Sequence, residues 1–201
     1  QLTTNNYQLT TINYQLTTNL PMSIESSEEI SAINTFLESL KHHNPGISSA
    51  AVERLVKFSP VNIQPLIDAS QNSTDQSIQA YIVQALAQIG NPEAVDLLSE
   101  VVGTEVANHC QGNVRRIAAR GLGSIGATLS NPEIVNRILE KLNWALLNPQ
   151  DWGLRYAAAV SLQEIATPEA NIALQQALKQ EDDKVVRSRI TAAIRDFQLK
   201  K

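Results

Sequence analysis

The stretch Gly103–Asn113, GTEVANHCQGN, sets His109 beside Cys110 and is followed at once by Arg115 and Arg116. A thiol placed just before a helix N-terminus, with two guanidinium groups close by, is favoured as the thiolate by the helix dipole and by charge. An adjacent imidazole titrates near neutral pH and can exchange a proton. The two side-chain types together suit nucleophilic addition coupled to proton transfer. The competing reading makes Cys110 a small buried hydrophobe and lets two neighbours on an extended link point apart. Residue pattern alone leaves both open. His42 and His43 are remote in sequence and no four ligands fall at zinc-type spacing, so no metal site is expected. No serine elbow, phosphate loop or dinucleotide fingerprint is present.

The elements that must hold this pair are repeated helices. Five segments superpose on one frame: ISSAAVERLVKF from Ile47, IQAYIVQALAQI from Ile78, VRRIAARGLGSI from Val114, LRYAAAVSLQEI from Leu154 and VRSRITAAIRDF from Val186. Apolar or small residues fill the first, fifth, ninth and last positions, a helical spacing. The ninth position holds Leu55, Leu86, Leu122, Leu162 and Ile194, a recurrence of 31 to 40 residues. Such a period, with two helices per unit, predicts an all-α fold: an α-solenoid of about five HEAT-like helix pairs. Partner helices begin at NPEAVDLL (Asn91), NPEIVNRIL (Asn131) and TPEANIALQQAL (Thr167). Asn or Thr caps, Pro fits the first turn, and Glu complements the dipole. An opening helix in EEISAINTFLESL and a short partner over Pro60–Ala69 complete the set.

Within the frame, small residues such as Ala118, Ala119, Gly121 and Ala157 to Ala159 let neighbouring helices approach closely. Arg115, Arg155 and Arg187 recur at its second position, with Asp151 and Asp183 four residues before the latter two. These pairs read as a structural ladder tying turn to helix, broken in the second unit where Gln79 replaces the arginine.

The chain's 201 residues carry 20 acidic and 16 basic side chains, a net charge of −4 that argues against a dedicated nucleic-acid binder. No apolar run approaches the roughly 20 residues of a membrane helix. A single cysteine rules out an internal disulfide and favours a reducing, cytoplasmic setting. Residues 1–22 differ from the 23–201 repeat domain. They read QLTTNNY, QLTTINY, QLTTNLP, an uncharged heptad repeat that ends against Met22, the only methionine. They are expected to be a disordered leader, with Met22 as the native start, in preference to an isolated edge strand.

VRRIAARGLGSIG with its NPEAVDLL companion resembles the HEAT-like repeats of the E/F-type phycobilin lyases, over roughly residues 23–201. NHCQGN, Asn108 to Asn113, is more specific: it resembles the motif of F-type subunits of phycoerythrocyanin α-chain lyase-isomerases, whose His-Cys pair is tied to isomerisation. The resemblance implies a subunit that works with an E-type partner. The pair would attach phycocyanobilin, its substrate, to a cysteine of the phycoerythrocyanin α subunit and convert it to phycoviolobilin. No separate cofactor is implied. Isomerisation moves a double bond from the C4–C5 bridge into ring A at C2–C3, so a proton leaves C2 and another arrives at C5.

On that reading His109 and Cys110 are the catalytic candidates. Asn108, Gln111 and Asn113 of the motif join Arg115, Arg116, Arg120, Trp152 and Tyr156 as bilin-binding candidates. Arginines would hold the two propionates and aromatic rings would stack on pyrroles. Arg116 and Arg120, four apart, share a helix face. A plain phycocyanin α-chain lyase subunit without isomerisation, or a noncatalytic scaffold binding phycobiliproteins, are the alternatives. Deleting residues 1–21 is expected to leave the melting temperature and partner binding unchanged, because the leader has neither apolar periodicity to dock nor charge to pair. A clear loss of thermal stability in differential scanning fluorimetry would restore the strand reading.

Overall fold

A computed structural model describes residues 24–104, 109–148 and 150–199, with side chains described from Ser27 and, in the second segment, from Gln111. The expected leader lies outside the described residues. The described chain forms α1 (Ile24–Leu40), α2 (Pro45–Phe58), α3 (Gln64–Asn72), α4 (Gln76–Ile89) and α5 (Val95–Gly103). It continues with α6 (His109–Thr128), α7 (Pro132–Leu146), α8 (Trp152–Ile165), α9 (Pro168–Leu178) and α10 (Lys184–Leu199). These ten helices make five pairs, as the repeat frame predicts.

Local chemistry sets each start. Asn44, Asp75, Asn131 and Thr167 accept bonds from backbone N–H groups of the first turns of α2, α4, α7 and α9, with Pro at the first position of α2, α7 and α9. Those N–H groups have no intrahelical partner, so a side-chain oxygen there removes an unmet donor. Asn91 caps a single 3-10 turn, Pro92–Ala94, and α5 follows it directly. The expected Pro60–Ala69 helix begins later, at Gln64, and runs to Asn72.

Even-numbered helices stack in chain order, α2 on α4, α6, α8 and α10, while each odd helix packs against the even helix that follows it. Between the layers the core is aliphatic. Leu86, Leu122 and Leu162 are essentially fully buried, whereas Ile194 on α10 is half-buried, with no helix of the described residues stacked on its outer side. Ile47, first in the frame, is likewise exposed at the other end of the stack.

The ladder runs on through the second unit, where Gln79 takes the place of arginine, and its acceptors differ from the expected aspartates. Arg115 Nε donates to the Val102 carbonyl, 2.9 Å, and Arg187 Nη1 to those of Leu178 and Glu181. Arg155 Nη1 donates to the Asn148 carbonyl, and Gln79 Nε2 to those of Ser70 and Ser73. From the second frame onward, the second position thus reaches back to the unpaired carbonyls at the end of the preceding odd helix, which glutamine satisfies as well as arginine. Asp151 and Asp183 instead cap α8 and α10. Arg155 finds its carboxylate one unit on: Nε and Nη2 grip Glu181 Oε2 and Oε1 at 2.8 and 3.0 Å. That bond, the largest influence, holds the Arg155 pKa above its ordinary value.

Helix α6 sits between α4 and α8 at close range on both sides. A Cβ on Gly121 would stand 2.6 Å from Ala87 Cβ, and one on Gly123 would stand 2.4 Å from Ser161 Cβ. No real Cβ contact is that short, so both positions require glycine. Ser161 is fully buried and donates to the Ala119 carbonyl at 2.9 Å, fastening α8 to α6. Gly123→Ala should force the two helices apart and cost about 1–3 kcal/mol, the range for overpacking; chemical denaturation checks this, with no change in midpoint as the contrary result.

Candidate functional site

Helix α6 carries the candidate motif in its first turn. The sequence reading puts His109 and Cys110 on a link before the helix, but the helix already begins at His109. Asn108 lies outside the described residues, as do the side chains of His109 and Cys110. By helical register, position 109 falls on the stripe of positions 113, 116 and 120, and position 110 shares its face with 114 and 117.

The described part of that stripe is polar and open. Asn113 is exposed, and the Arg116 and Arg120 side chains are 37% and 43% exposed. Across the close contact with α8 stand Trp152 and Tyr156, four apart and both exposed. The structure therefore brings Asn113, Arg116, Arg120, Trp152 and Tyr156 onto one open surface formed by adjacent even helices. Gln111 is half-buried in the first turn of α6 and bonded within the protein.

Each cation on this surface has a partner. Arg116 Nη2 donates to Asp151 Oδ1 at 2.9 Å, Nη1 donates to Asn113 Oδ1 at 3.3 Å, and the guanidinium lies 5.9 Å from the centre of the Trp152 ring. Arg120 Nη1 donates to Ser161 Oγ at 3.2 Å, and its Nη2 forms an ion pair with Glu164 Oε2 at 3.1 Å. Arg115 is different. It is 6% exposed, turned toward the odd layer, and stacked 6.0 Å from the ring centre of Trp144. Burial pushes its pKa down from the usual arginine value, partly offset by Asp151. Its geometry is that of the ladder.

Sequence reasoning missed three contributors. Asp151, assigned there to Arg155, serves Arg116 of the preceding unit. Glu164 pairs Arg120, and Lys141 Nζ sits 5.3 Å from the ring centre of Trp144. The first two are contacts between repeats, 35 and 44 residues apart, and a frame that aligns repeats cannot by itself say which positions of neighbouring units touch. Among the described residues no group of three or more His, Cys, Asp or Glu could hold a metal ion, and no helix is long and apolar enough to cross a membrane.

Comparison with known proteins locates this architecture. A family model for HEAT repeats matches residues 63–127 and 104–195. The chain is 60% identical over 170 residues to the bilin biosynthesis protein PecF of Nostoc sp., covering 85% of this chain and 98% of the relative. It is 56% identical over 175 residues to PecF of Mastigocladus laminosus, covering 86% and 82%. A phycocyanobilin lyase subunit beta of Nostoc sp. is 30% identical over 175 residues, covering 83% and 85%. Among solved structures, a chain of the complex of CpcE and CpcF of phycocyanin lyase from Nostoc sp. superposes with a TM-score of 0.70 at 29% identity, covering 82% of this chain and 98% of that one. Identity at this level over nearly the whole repeat region, on the same fold, places the chain in the PecF family of HEAT-repeat bilin biosynthesis proteins.

Proposed function

We propose that this chain is the F-type subunit of a heterodimeric bilin lyase-isomerase, which attaches phycocyanobilin to a cysteine of the phycoerythrocyanin α subunit and isomerises it to phycoviolobilin. The observation that carries the reading is the motif NHCQGN at the start of α6, on a chain 60% identical to a bilin biosynthesis protein and beside an open face of arginines and aromatic rings. Residues 23–201 are the working domain in this proposal, 1–22 stand outside it, and the site of action is cytoplasmic. The bilin is substrate, and no cofactor enters the scheme.

The chemistry balances without an oxidant or reductant. The acceptor thiol adds its sulfur to the ring A ethylidene and electrons shift through C3 to the bridge, where C5 takes up a proton. The C2 proton then leaves and C4 gains one, which leaves the ring A double bond at C2–C3. His109 fits the proton traffic, since an imidazole both gives and takes a proton near neutral pH. Cys110 fits reversible addition to the conjugated bilin, which loosens the bridge bond. Ring stacking is assigned to Trp152 and Tyr156, exposed and four apart on α8.

Propionate binding falls first to Arg120. Its pair with Glu164 is open on both sides, 43% and 36% exposed, and such pairs contribute only about 0–1 kcal/mol. A propionate can therefore displace Glu164 at little cost, whereas Arg116 is held by a carboxylate that is 13% exposed. Glu164→Gln should free Arg120 and tighten bilin retention by up to about fivefold in equilibrium titration. Unchanged or weaker binding would remove Arg120 from the site.

The direct test uses Cys110→Ser and His109→Gln, each co-expressed with an E-type partner, apo α subunit and phycocyanobilin. Attachment depends on positioning the acceptor thiol and should survive in part, while the double-bond shift should fail, so the denatured product should absorb as the cyanobilin adduct. Normal violobilin yield from both variants would reduce the motif to a structural turn. Loss of all attachment from a folded variant that still co-elutes with the partner would move the pair from isomerisation to ligation.

A further inference from the structure

One side chain fastens the motif-bearing turn of α6 to the aromatic face of α8, and it is held from outside the motif. Arg116 lies two turns into α6. Its Nη1 reaches back to Asn113, and its Nη2 crosses to Asp151 on the neighbouring repeat. The guanidinium is laid flat against the start of α8: a Cβ on Gly153 would meet Arg116 Cζ and Nε, each at 2.4 Å. Trp152 covers it at 5.9 Å. The absence of a side chain at 153 is what lets the guanidinium occupy this slot.

The placement is imposed on the arginine. Its Nε is buried and makes no hydrogen bond, a costly state for a donor. A guanidinium free to rotate would satisfy that donor, so the grip of Asp151 and Asn113, with the slot at Gly153, decides where it rests. Asp151 is itself fixed. The same Oδ1 that takes Arg116 also accepts from Leu154 N at 2.9 Å, capping α8, and the side chain is 13% exposed. The cap that starts α8 is thereby linked through Arg116 to the side chain of Asn113, which is four residues from 109 and three from 110 in the helix.

We infer that Asp151 is a positioning residue for the isomerisation: acting through Arg116 in the Gly153 slot, it sets the first turn of α6 in register with the ring-stacking face of α8. The inference rests on the reading of this chain as a lyase-isomerase subunit. Proton transfer tolerates misplacement poorly, with a displacement of about 1 Å able to cost on the order of 100-fold in rate. Covalent attachment uses a thiol of the α subunit and does not pass through this tie. Loss of the tie should therefore change which product forms more than how much chromophore is attached.

Two variants separate this role from a structural one. Asp151→Asn keeps an N-cap of equal quality but removes the charge that draws Arg116. Gly153→Ala keeps Asp151 and evicts the guanidinium; the clash is with the far end of a flexible side chain, so the backbone need not move. Each variant is assembled with the E-type partner, apo α subunit and phycocyanobilin, and the ratio of violobilin to cyanobilin in the denatured adduct is read by absorption. Thermal melting and co-elution are followed in parallel. The expected result is a fall in that ratio by about tenfold or more in both variants, with partner binding retained. Wild-type protein that makes violobilin, with variants that make as much, would overturn the inference alone. Wild-type protein that attaches only cyanobilin would overturn the lyase-isomerase reading and the inference with it.

Discussion

The approach of α6 to α8 at Gly123 and Ser161 is the constraint on which the open face depends. With a Cβ position only 2.4 Å from Ser161, the two helices are as close as backbones permit, and the hydroxyl of Ser161 bonds to the Ala119 carbonyl across the gap. Side chains on the outer face of one helix are thereby within reach of those on the other. Arg116 can cross to Asp151, and Arg120 can touch both Ser161 and Glu164. A bulkier pair at 123 and 161 would separate all of these together.

The same helix ends serve two purposes. Odd helices from α3 onward leave unpaired carbonyls at their ends, and the second residue of the frame answers them, from Gln79 through Arg115 and Arg155 to Arg187. In the last three units this need consumes an arginine and turns it inward. The next residue is turned about 100° round the helix, so Arg115 and Arg116 divide their labour: one closes the preceding helix, the other faces the open surface. Charge near the motif is thus a by-product of the repeat in one case and available for binding in the other.

How much of this was legible in the sequence follows from which forces are local. Helix starts were readable where Asn or Thr is followed by Pro and Glu, because these act within one turn, and the apolar frame located the core leucines from Leu55 to Leu162. The boundary of α6 was misjudged because NHCQGN contains Gly and Asn, poor helix formers, yet packing carries the helix through them from His109. The partner of Asp151 was misassigned for a different reason. An aspartate four residues before an arginine suggests a tie from the turn to its own helix, but Asp151 caps α8 and turns its second lone pair toward Arg116 of the neighbouring repeat. Arg115 and Arg116 are alike in type, and the recurrence of Arg115 with Arg155 and Arg187 at the second frame position marks it for the ladder, where the structure places it.

The central claim is that this chain directs a proton to the bilin bridge. Its most direct test is to run the attachment in D2O with the E-type partner and apo α subunit, isolate the chromopeptide, and assign deuterium by NMR. The expected product is a phycoviolobilin chromopeptide carrying deuterium at C5. A phycocyanobilin chromopeptide with an unlabelled C5 position would contradict it.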